Sequence, residues 1–150
     1  MLINIPAVIP PDLLKIMCEM GHGDTLVIGD GNFPAASVAD ANGAALIRCD
    51  GIGAPELLEA ILKLFPLDTF VDEPVGLMGV AKGTEQVEVP IWEKFHEIVG
   101  RHDGRGTAAF RIIERFEFYE EAKLAYAVVA SGESAAYGNI ILKKGVVRPV

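Results

Sequence analysis

Apolar residues recur along this chain with two different periods. A helical spacing appears in PPDLLKIMCEMG (10–21), where Leu13, Leu14, Met17 and Met20 share a face and Gly21 supplies a stop. It returns in PELLEAILKLFP (55–66), with Pro55 suited to a first turn and Pro66 ending the run. A third helix is predicted over 90–102, with Ile91, Phe95, Ile98 and Val99 on one face and Trp92 at its margin. Between these lie short apolar runs bounded by turn residues, the signature of buried strands: 25–30, 45–51, 75–83, 110–114, 125–133 and 139–145. RFEFYEEAKLA (115–125) is mixed, extended in its first part and helical later. The stretches 39–44 and 100–106, rich in Gly, Asn and Asp, read as surface insertions. Alternating helices and strands predict an α/β fold: three layers, α/β/α, around a mainly parallel or mixed sheet of about six strands.

Composition narrows the function classes. A chain of 150 residues, 51% apolar and 23% charged, suits one domain with a real core, spanning 1–150. A net charge of -8 argues against nucleic acid and anionic membrane surfaces as partners, but is neutral toward an uncharged ligand such as a sugar. Cys18 and Cys49 lie in apolar runs without a CxxC pattern, as expected of buried free thiols in a reducing compartment. The start, MLINIPAVIPPDLL, lacks a basic region and is broken by Pro6, Pro10 and Pro11, and no apolar run approaches a membrane span. The expected location is the cytoplasm.

Candidate chemistry concentrates in two stretches. In EMGHGDTLVIGDGNFP (19–34), Gly21 and Gly23 leave His22 without flanking side chains, so its imidazole is accessible. Such a group can give or take a proton near neutral pH, or simply favour a helix C-terminus. Asp24 either orients the ring or forms a local turn. Asp30 ends a buried strand, where α/β sheets usually bind ligands, although a turn aspartate has the same appearance. If residues 23–29 are extended, His22 and Asp30 lie roughly 25 Å apart at about 3.3 Å per residue. One pocket then holds both only if it is shared between subunits or if part of the segment is not extended. In AAYGNIILKKG (135–145), Tyr137 and Asn139 flank Gly138 before a strand; phenol and amide can hold a polyol, or Asn139 can cap a turn. Arg115 can donate to sugar hydroxyls or pair with Glu114, Glu117 or Glu121, and Tyr119 suits a pocket wall or the core. DGIGAPE (50–56) lacks the third glycine of a dinucleotide fingerprint and places Glu56 where an anion would approach. His96 and His102 fall on different helix faces without a third ligand, as solvated helix histidines rather than a metal site.

Taken in order, GHGD, D..FP, RF.FYE and GE...YGNIILKKGV make the chain resemble the D-ribose pyranase / L-fucose mutarotase family. IRCDG and LLEAILKLFPLD also look like the fucose branch, and the resemblance covers nearly the whole chain. It implies a small cytoplasmic α/β isomerase that needs no metal or cofactor and interconverts anomers of a free monosaccharide. It also implies ring-shaped homo-oligomers, commonly decamers, with pockets near subunit boundaries. Carried over residue by residue, His22 matches the acid/base histidine, and Asp30, Arg115, Tyr137 and Asn139 match sugar-binding positions, with Gly138 between the last two. Tyr137 is also expected to assist as a proton donor. A pyranase acting on D-ribose, or a sugar-binding protein without catalysis, are the alternatives.

Overall fold

The computed structural model describes residues 1–149. The helices are α1 (Pro11–Glu19), α2 (Ala35–Ala41), α3 (Ala54–Leu62), α4 (Pro90–His102) and α5 (Arg115–Lys123). The strands are β1 (Thr25–Gly29), β2 (Ala45–Cys49), β3 (Val75–Met78), β4 (Phe110–Ile113), β5 (Ala127–Ser131) and β6 (Ile140–Lys143). They form one six-stranded sheet in the order β2-β5-β1-β6-β3-β4. β1, β2 and β5 run parallel to one another, as do β3 and β4, whereas β6 is antiparallel to both its neighbours, β1 and β3. The three-layer α/β/α expectation therefore holds, with a mixed sheet.

Both sheet faces are covered, which is why the central strands are continuously apolar rather than alternating. Leu26, Ile28, Ala127, Val129, Ile140 and Leu142 point to one side and pack with Leu13, Met17, Leu57, Ile61 and Phe95 of α1, α3 and α4. Val27, Val128 and Ile141 point to the other and pack with Val38, Phe118 and Ala122 of α2 and α5. The period-two side-chain geometry of a strand divides these residues between two cores.

Several elements depart from expectation. Residues 39–44 are not an insertion: Ala39 closes the buried face of α2 with Ala35 and Val38, a face so small-sided that it leaves little periodic signal. α5 is helical from its first residue, because Glu114 accepts hydrogen bonds from the Phe116 and Glu117 backbone N–H groups (2.9 and 3.1 Å) and caps it. The first part is therefore not extended, and it leaves Phe116 exposed and Phe118 buried. α3 stops at Leu62, before Pro66. Cys49 is buried as expected, whereas Cys18 lies on the exposed side of α1. His96 is half-buried, edge-on to Phe110 at 4.5 Å, and His102 sits 3.0 Å from Glu59, so neither is merely solvated. Among the described residues no helix is long and apolar enough to cross a membrane.

Candidate active site

The sheet carries its polar chemistry at two opposite edges. His22 occupies the turn between α1 and β1. The Asp24 carboxylate accepts the Gly21 N–H at 2.7 Å, so Asp24 closes the turn. Gly23 has φ +86°, a left-handed conformation costly for any residue with a Cβ, and its N–H donates to the Lys144 carbonyl just past β6. The turn is thus stitched to the sheet, and the imidazole projects from a fixed base.

The group that orients the ring is Asp68, 46 residues away in the chain. His22 Nε2 lies 3.0 Å from Asp68 Oδ1, with the histidine side chain 44% exposed and the aspartate side chain 2% exposed. The same oxygen accepts the Phe70 N–H at 3.0 Å, and the Phe70 ring packs on the imidazole with centroids 4.9 Å apart. Burial alone would raise the Asp68 carboxyl. The Phe70 N–H, the His22 ring and, further off, Lys143 favour the charged form and hold it below its ordinary value of 3.8. An ionised carboxylate only accepts, so Nε2 carries the proton and Nδ1 of the neutral ring is the free nitrogen. A depressed carboxyl stabilises the fold fully above its unfolded value and loses that contribution as pH falls through the folded one. Urea midpoints measured against pH are therefore expected to drop below about pH 3.8. Asp68→Asn, which has nothing to titrate, should show a shallower acid slope than wild type; parallel curves would contradict this account.

At the other edge, Asp30 follows β1 and Asn139 precedes β6, and the antiparallel pairing of Ile28 with Ile140 brings them side by side. The Asp30 N–H donates to Asn139 Oδ1 (2.8 Å), and Asn139 Nδ2 donates back to Asp30 Oδ2 (3.1 Å). That oxygen also accepts the Gly138 N–H (3.2 Å), while Oδ1 accepts the Asn32 N–H (3.0 Å). Asp30 is 5% and Asn139 4% exposed. Tyr137 stands beside them with φ +59°, uncommon for a residue with a large side chain. Its carbonyl accepts the Trp92 indole N–H and its hydroxyl accepts the Ala81 N–H, both at 3.1 Å. Because that hydroxyl accepts from the protein, its own proton is free for a ligand. A Cβ on Gly138 would fall 3.1 Å from Glu133 Cγ and 3.2 Å from the Ala135 carbonyl oxygen, so the close turn suits glycine.

Arg115 opens α5, directly after β4, and so lies at the Asp30 edge, with two strand steps (β6-β3-β4) separating its strand from β6. Its guanidinium sits 4.8 Å over the Phe116 ring and makes no ion pair among the described residues. Two of its three alternative partners are otherwise engaged: Glu114 caps α5, and Glu121 holds Arg111 in a two-pronged bond. Tyr119 stacks on Phe33 at 5.7 Å and lines a groove of about 710 Å³ between α2 and α5, which contains neither His22 nor Asp30.

The chain therefore gathers Asp30, Tyr137, Gly138 and Asn139, keeps Arg115 on their edge, and puts His22 at the opposite end of an extended β1. Asp68 and Phe70 complete the histidine's surroundings; neither was singled out from the sequence, although Asp68 ends the LFPLD stretch that resembles the fucose branch. In the DGIGAPE segment the chain's own Glu133 carboxylate accepts the Ala54 N–H at the start of α3 (3.2 Å), the place an anion would take in a dinucleotide fingerprint.

Residues 3–147 match the model of the RbsD / FucU transport protein family. The chain is 49% identical to the fucose mutarotase of Danio rerio over 97% of its own length and 94% of that protein. It superposes on the crystal structure of FucU from Bifidobacterium longum with TM-score 0.93 and 55% identity, covering 97% of this chain and 99% of that one. The fucose mutarotase of Streptococcus pneumoniae, solved in complex with L-fucose, gives TM-score 0.90 and 47% identity over 98% and 100% of the two chains. The chain that carries these two polar edges belongs to the RbsD / FucU family.

Proposed function

We propose that this protein is a cofactor-independent isomerase, an L-fucose mutarotase, interconverting the α and β anomers of the free sugar. The observation that carries the reading is the His22–Asp68 pair: an exposed imidazole tied through Nε2 to a buried carboxylate, with Nδ1 left free. The fucose mutarotase relatives and the L-fucose complex of a 47% identical protein support fucose as the sugar.

Neutral His22 takes the proton of the anomeric hydroxyl at Nδ1 while the C1–O5 bond breaks and C1=O1 forms. The ring oxygen takes up a proton, with the Tyr137 hydroxyl as donor. Rotation about C1–C2 presents the other face of the aldehyde, the O5 hydroxyl adds back, and the protons return along the same path. Asp68 stabilises the imidazolium formed on the way. Asp30, Arg115, Asn139 and the Gly138 backbone form the sugar-holding edge. Optical rotation of freshly dissolved α-L-fucose tests the activity: the protein should speed the approach to equilibrium in proportion to its concentration, and an unchanged rate would sink the assignment.

The span 1–150 acts as one mutarotase domain in the cytoplasm, a setting in keeping with two free thiols, one of them exposed. It works as a ring-shaped homo-oligomer, a decamer, in which His22 of one chain faces the Asp30–Tyr137–Asn139 edge of another. Support comes from their placement at opposite ends of β1. Co-refolding His22→Ala with Tyr137→Ala chains is the check. Pockets shared between two chains are restored at about a quarter of the sites in a random mixture, because each chain then supplies what the other lacks. Pockets built within one chain would give no recovery.

A further inference from the structure

Arg105 lies outside both polar edges, in the stretch that reads as a surface insertion, yet no side chain here is more fully engaged. A guanidinium has five N–H donors. Nε and one Nη2 proton bind the two oxygens of Asp103 (2.9 and 2.7 Å). The other Nη2 proton reaches the Asp68 carbonyl at 2.9 Å, and Nη1 reaches the carbonyls of Val71 and Asp72 at 2.8 and 3.3 Å. All five donors are used. Three of them grip residues 68–72, the loop that supplies both contacts of the His22 ring, the Asp68 carboxylate and the Phe70 ring.

The anchor is itself rigid. Asp103 caps α4 through its N–H to the Val99 carbonyl (2.8 Å), its carboxylate also accepts the Arg105 N–H (2.9 Å), and Gly106 turns the chain with φ +57°. The Asp68 N–H is fixed separately, to the Lys143 carbonyl at 3.0 Å. Asp68 is thus pinned on its amide side by the sheet and on its carbonyl side by Arg105, which leaves its carboxylate one direction to point. Lysine, with one ammonium on a flexible stem, cannot span a carboxylate and three carbonyls together.

We propose that Arg105 is the positioning residue of the proton-transfer site: by clamping 68–72 to the end of α4 it aims Asp68 at His22 Nε2 and keeps Nδ1 as the free nitrogen. This rests on the reading of His22 as the proton carrier, but its most direct readout does not need activity. In ¹⁵N-histidine NMR at about pH 9, above the range in which imidazoles ordinarily titrate, wild-type His22 should show a protonated Nε2 and a bare Nδ1. In Arg105→Lys both nitrogens should move toward the averaged values seen in Asp68→Ala. On L-fucose, kcat should fall by about tenfold to a hundredfold with KM little changed, as for a displaced catalytic group. Arg105→Lys added to Asp68→Ala should cost nothing further. Wild-type ¹⁵N shifts in a folded Arg105→Lys protein, or a loss that adds fully to that of Asp68→Ala, would overturn the proposal. If Arg105→Lys does not fold, Asp103→Asn loosens the same clamp from its other side and should give the same displacement of the ¹⁵N shifts. If wild type itself shows no exchange of anomers, the mutarotase reading fails while the ¹⁵N comparison still decides the role of Arg105.

Discussion

His22→Ala should reduce protein-catalysed exchange of the L-fucose anomers by about 10²–10⁴-fold, the usual worth of a positioned general acid–base. Stability should change by less than about 1 kcal/mol, since the pair it breaks is half solvated on the histidine side, where ion pairs contribute little. The two readouts separate chemistry from folding. A binding role alone would give the opposite pattern: an unchanged exchange rate with a loss confined to affinity. The large effect is expected because the groups around the ring cannot take over its role. Asp68 is buried and engaged, Asp24 is spent on the Gly21 N–H, and Phe70 has no proton to give.

Asp30→Ala should produce the largest loss of stability among the site variants, about 3–5 kcal/mol, as two buried donors and one part-buried donor lose their acceptor at about 1–3 kcal/mol each and not additively. Those donors are the N–H groups of Asn32 and Gly138 and the Asn139 amide. In a chain of this size the melting temperature should fall on the order of 10 °C. Tyr137→Phe, which removes one acceptor of the Ala81 N–H at a half-buried position, should stay within about 1 kcal/mol of wild type. The contrast defines two kinds of residue at one edge. Asp30 holds the Gly138–Asn139 turn in place and has capacity left at Oδ1 for at most one further bond, whereas Tyr137 keeps a free proton. A melting temperature for Asp30→Ala within about 2 °C of wild type would mean that the carboxylate does not hold the turn.

Where one period dominated, the fold was legible from residues alone. α4 runs over 90–102 as its Ile91–Phe95–Ile98–Val99 face predicts, and the five-residue strands β1, β2 and β5 lie inside their apolar runs. α2 was hidden because its buried face, Ala35, Val38 and Ala39, is too small-sided to leave a clear hydrophobic period. α5 was misread in part because its cap, Glu114, works through backbone N–H groups that no hydrophobic pattern reports. Strand arithmetic did place His22 and Asp30 at opposite ends of β1, a consequence of the fixed rise per residue. What the sequence could not supply was the partner of His22. Asp24 stood two residues away and Asp68 forty-six, and only the folded chain, with the 68–72 loop drawn to α4 by Arg105, decides between them. Long-range pairing of this kind leaves no periodic trace.

We propose that this chain moves protons on a free sugar through His22, with fucose as the sugar. Saturation transfer between the α and β anomeric protons tests it most directly, with L-fucose and D-ribose run side by side on wild type and His22→Ala. Wild type should enhance exchange, more for L-fucose than for D-ribose, and the variant should show none above the uncatalysed rate. Equal exchange in wild type and His22→Ala, or no enhancement with L-fucose, would contradict it.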